Sequence, residues 1–118
     1  MGMMDFNIGS IDQVPEGQGR CFVLGRQQVA VFRSRDGRIF AVQNNCPHRQ
    51  GPLSEGIIGS DTVVCPLHGH KFNLMTGKGS EAHECIKVFK VRENNRNIVV
   101  QMDLPAARLE SPKQETTI

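Results

Sequence analysis

Tryptophan and tyrosine are absent from the 118 residues, and six phenylalanines make up the whole aromatic complement. Stacking on bases or sugar rings is therefore not the main business of this chain. An excess of one charge is missing too. Lys and Arg number 14 against 12 Asp and Glu, a net +2, far from the basic surplus of a general nucleic-acid binder. No strictly apolar run exceeds four residues, the length of Val29-Ala30-Val31-Phe32, too short to cross a bilayer. The opening Met1-Gly2-Met3-Met4-Asp5-Phe6 has neither the basic start nor the apolar stretch of an export signal. Internal repeats, low-complexity tracts and long helical periodicity are likewise lacking. These absences predict a soluble cytoplasmic protein that binds neither nucleic acid nor membrane.

What is present is β-like. Short apolar runs recur at Cys21–Leu24, Gln28–Phe32, Ile39–Val42, Thr62–Val64, Lys71–Leu74, Ile86–Val91 and Ile98–Val100. Asp36-Gly37 and the Asn94–Asn97 stretch read as hairpin turns between such runs. Residues 1–19 read as an entry arm and a loop. Seven or eight short strands at close spacing predict an all-β fold, a small antiparallel barrel or sandwich. The length suits one domain, placed at residues 1–104, with 105–118 as a polar tail.

Two irregular stretches interrupt the strands, and each carries a Cys and a His: Cys46-Pro47-His48 and Cys65-Pro66-Leu67-His68. A proline directly after each cysteine fixes the local backbone. Gly51 and Gly69 follow and permit close backbone approach or positive φ. In a reducing compartment such cysteines point to metal or catalysis rather than to structural disulfides. Thiolate and imidazole suit iron and zinc alike. Three arrangements are open: two buried thiols with two surface histidines, a structural Cys2His2 zinc-binding interaction module, or a Rieske-type 2Fe–2S cluster, in which two His replace two Cys on one iron.

The run Cys-Pro-His, sixteen residues, then Cys-Pro-Leu-His-Gly resembles the Rieske family signature. The likeness is carried by residues from about 40 to 80, with cluster-binding loops over about 44–80. It implies that Cys46 and Cys65 hold one iron, and that His48 and His68 hold the other through Nδ1. No further catalytic residue is implied. The resemblance implies a small antiparallel fold with a two-loop cluster-binding subdomain and a role in one-electron transfer. High-potential members carry an extra Cys in each loop, where this chain has Gly51 and Leu67, and a Ser and a Tyr where it has His70 and Phe72. Fewer hydrogen bonds to the sulfurs predict the low end of the Rieske range, about −150 to +50 mV.

Gly51–Ile57 and Glu84–Arg92 resemble the small subunit of assimilatory NAD(P)H-dependent nitrite reductase. The partner that this likeness implies is a large flavin- and sirohaem-containing reductase subunit. A soluble Rieske ferredoxin, partnered by an oxygenase and a ferredoxin reductase, is the alternative. Ferredoxins and oxygenases often carry a proline in the third loop over the cluster, which Ser80–Glu84 lacks. Of the remaining residues, Cys21 and Cys85 read as small core hydrophobes. His70 and His83 read as surface side chains that could face the cluster, and Arg49 and Lys71 as a basic rim for an acidic partner. The phenylalanines read as core.

Overall fold

Val29, Ala30, Val31 and Phe32 are all buried, although one sheet face would bury only alternate residues. The strand that holds them has a core on each side. Val29 and Val31 point into one apolar cluster, and Ala30 and Phe32 into the other. A continuous β-branched run is the sequence form of such a doubly covered strand. The neighbouring strand repeats the division, with Phe40 and Val42 on one side and Ala41 on the other.

The computed structural model describes residues 2–47, 51–67, 69–80 and 84–104. Nine strands are described: β1 Gly2–Ser10, β2 Gln18–Leu24, β3 Gln27–Arg33, β4 Ile39–Gln43, β5 Ile57–Ile58, β6 Thr62–Val64, β7 Lys71–Asn73, β8 Val88–Asn94 and β9 Asn97–Leu104. Six form one antiparallel sheet in the order β1-β9-β8-β4-β3-β2, and three form a second in the order β5-β6-β7. All six strands of the larger sheet send apolar side chains to one cluster, from Phe6 and Ile8 on β1 to Met102 on β9, so the sheet curls around it. The smaller sheet packs Val63 and Phe72, with Leu74 just after β7, against the other face of β3 and β4, in a cluster that also holds Cys46 and Cys65. The small all-β architecture read from the strand spacing is thus the observed one.

Two readings change. Residues 2–10 are a full strand rather than an arm, paired with β9 from Gly2–Leu104 to Ser10–Asn97. Phe6 and Ile8 alternate correctly, but Asp5, Asn7 and Gly9 are poor strand formers, so the pairing with β9 decides. β5 was not legible at all, being two residues held by β6. Asn95 and Arg96 both have positive φ, 54° and 64°, as a two-residue hairpin loop requires. Among the described residues no helix is long and apolar enough to cross a membrane. The proposed tail, 105–118, lies outside the described residues.

Candidate metal centre

Each cysteine sits at the neck of a loop between two pieces of this framework. The Cys46 N–H donates to the Gly51 carbonyl at 2.9 Å, and the Cys65 N–H donates to the His70 carbonyl at 2.7 Å. In both loops the neck is closed by a bond from the cysteine to the residue five positions on. Gly69 has φ 75° and donates back to the Cys65 carbonyl at 3.2 Å, so the second loop folds tightly on itself.

The first loop is anchored by a buried amide. Asn44, 5% exposed, donates through Nδ2 to Gln28 Oε1 at 3.2 Å and accepts the Ser54 N–H through Oδ1 at 2.9 Å. Its backbone N–H reaches the Gln28 carbonyl at 3.0 Å, and its carbonyl accepts the Leu53 N–H at 2.7 Å. Both ends of the loop are thereby tied to β3. Gln43 adds a second tie, donating to the Asn45 carbonyl at 2.6 Å and accepting the Lys87 N–H at 2.7 Å.

The two loops meet. A β-carbon placed on Gly51 would lie 2.8 Å from Leu67 Cδ1 and 3.4 Å from Cys65 Sγ, so the absence of a side chain there lets the first loop press against the second. Cys46 and Cys65 are 0% and 2% exposed and share one buried cluster, near enough for each thiol to feel the other. Burial pushes the Cys65 thiol above its ordinary pKa. The Leu67 N–H, which donates to it, opposes the shift, while the neighbouring Cys46 and the Glu84 carboxylate reinforce it. Two buried sulfurs brought together from separate loops are a donor set that fits thiolate-bound iron, and thiol ligands give up their protons on loading.

His48, His68, Arg49 and His83 lie outside the described residues. Among the described residues no three His, Cys, Asp or Glu side chains come together as a metal site. Cys46 and Cys65 are the two of the four expected ligands that the structure describes, and it brings them together. Cys21 and Cys85 are exposed free thiols, which corrects their reading as core residues. Each lies in an apolar run, but on the outward side of its strand or turn. Of the phenylalanines, Phe32, Phe40, Phe72 and Phe89 are buried as expected, while Phe22 is half-buried against the cluster under the larger sheet. Lys71 is exposed. His70 is not a solvated side chain, because its Nδ1 donates to Glu84 at 2.9 Å. The roles of Gln43, Asn44 and Glu84 were missed. Asn44 stands directly before the ligand loop, and that adjacency was the one available signal.

A family model described as the Rieske-like 2Fe-2S domain matches residues 6–101. The biphenyl dioxygenase ferredoxin subunit of Pseudomonas sp. strain KKS102 is 37% identical over 100 residues, covering 82% of this chain and 91% of that protein. Among solved structures, a Mycobacterium tuberculosis protein assigned as an NADH-dependent nitrite reductase small subunit superposes with a TM-score of 0.82 at 25% identity, over 89% of this chain and 100% of the other. A chain from the complex of reduced oxygenase and oxidized ferredoxin in carbazole 1,9a-dioxygenase gives a TM-score of 0.71 at 28% identity, over 80% and 99%.

Proposed function

The chain belongs to the Rieske-like 2Fe-2S domain family, and from that premise we propose that it is a ferredoxin that delivers single electrons to a larger oxygenase, its cluster held by Cys46, His48, Cys65 and His68. The Rieske-type 2Fe–2S cluster displaces the structural-zinc reading. When bound, the cluster accepts and releases one electron. The chain's own residues do the rest. Cys46 and Cys65 supply thiolates from a dry pocket, and Leu53, Val63 and Phe72 exclude water behind them. The Leu67 backbone N–H lies near the Cys65 sulfur and favours its thiolate, and hydrogen bonds to sulfur are a main control of potential. Leu67 itself is 42% exposed beside the loops, an apolar contact for a docking partner.

The observation that carries the electron-carrier reading is the meeting of the two buried thiols from separate loops. The choice of an oxygenase partner rests on the 37% identity to a dioxygenase ferredoxin over nearly its whole length. A second reading, the small subunit of an NAD(P)H-dependent nitrite reductase, is supported by the fold match of 0.82 over 89% of the chain and by the resemblance of residues 84–92. Its partner would be the flavin- and sirohaem-containing subunit. In both readings we place the chain in the cytoplasm, where exposed free Cys21 and Cys85 remain reduced.

Pull-down from a native extract, with the partner identified, tests the choice. Capture of an oxygenase, followed by electron transfer to it from the reduced chain, is the expected outcome. Capture of a flavin- and sirohaem-bearing chain moves the assignment to the second reading. Purified protein without about two irons per chain overturns both.

A further inference from the structure

Glu84 is a carboxylate in an unusual place. It returns from the segment after β7, its carbonyl accepting the Gly79 N–H at 2.9 Å. Its two oxygens lie 2.9 and 3.1 Å from His70 Nδ1, and the His70 and Glu84 side chains are only 17% and 16% exposed. A carboxylate only accepts, so Nδ1 carries the shared proton. His70 in turn closes the second ligand loop, since its carbonyl accepts the Cys65 N–H at 2.7 Å. The pair therefore joins the second ligand loop to the chain that comes back past it.

The consequence is electrostatic. Through the His70 ring and the His70 carbonyl, the Glu84 carboxylate is two hydrogen bonds from Cys65. Being largely withdrawn from water, that charge is weakly screened. A centre that gains an electron beside a fixed negative charge gains it less readily. Resting on the cluster ligation proposed above, we infer that Glu84, held by His70, is a tuning residue that lowers the reduction potential of the centre at Cys65. This places a second control beside the hydrogen bonds to sulfur, and it acts in the direction the missing hydroxyl donors already imply.

Glu84→Gln isolates the effect. It keeps the shape and one oxygen that accepts from His70, and removes the charge. The cluster-loaded protein is titrated at pH 7 with optical and EPR detection. The expected result is a midpoint potential raised by about tenfold in electron affinity, ~59 mV for one electron, with unchanged EPR line shape and iron content. Should the Gln variant not load, Glu84→Ala removes the same charge and the same positive shift is expected. A wild-type potential in either loaded variant overturns the inference. Wild-type protein lacking a 2Fe–2S signal overturns the ligation proposal instead, so the two failures are distinct.

Discussion

Asn44 shows how much a single buried amide can hold. Its side chain joins Gln28 on β3 to Ser54 beyond the first loop, and the buried Ser54 N–H is cut off from water once the loop closes. Replacement by alanine strands that N–H, a cost of about 1–3 kcal/mol, while the exposed Gln28 amide turns to solvent. Asn44→Ala is expected to lower the urea midpoint accordingly and to speed loss of the cluster absorbance. Asn44→Asp keeps the acceptor for Ser54 and retains more of both. Gly51 works at the same scale by subtraction, because any side chain there meets Leu67 and approaches Cys65. Of these residues, the cysteines, their prolines and Gly51 were legible in the sequence. Spacing alone marked them as two like loops. Asn44, Gln43 and Glu84 were not, because a partner 10, 44 or 14 residues away leaves no local pattern.

Among the elements, the hairpins follow their turn chemistry most faithfully. The β3–β4 connection is the one Asp36-Gly37 predicts. Ser34 and Arg38 bond across it at 2.9 Å through their backbones, and Asp36 accepts from the Ser34 hydroxyl and from the Arg38 guanidinium. Those bonds, the Ser34 one first, hold the Asp36 carboxyl below its ordinary pKa. A lowered folded value means that the stabilisation is present above the unfolded carboxylate range, near ~3.9, and fades as pH falls through the folded value. Asp36→Asn is therefore expected to melt earlier than the parent at pH 7. The gap should narrow steadily toward pH 3 in circular-dichroism melts. β1 and β5 are elements of the opposite kind, since only the strands beside them make them strands.

The molecule as a whole has two apolar clusters sharing β3 and β4, and only one of them holds the cysteines. Truncations in the two should therefore separate. Phe72, fully buried on the cysteine side, becomes Ala at about 3–5 kcal/mol. That change is expected to lower cluster content as well as stability. Ile98, fully buried on the other side, becomes Ala at about 2–5 kcal/mol. That variant should keep a full cluster spectrum until it unfolds. Iron content measured alongside denaturant melts checks both.

Local chemistry in the chain was enough for the β class, the hairpin turns and the two matched Cys/His loops, because turn residues, period-two runs and ligand spacing are all encoded within a few positions. Folding decided what those loops are attached to. It alone brought Cys46 against Cys65, turned Cys21 and Cys85 outward, split β3 between two interiors, and set Glu84 against His70 at the second ligand loop. Each of these depends on which distant segment packs against which face, and burial and charge act through space rather than along the chain.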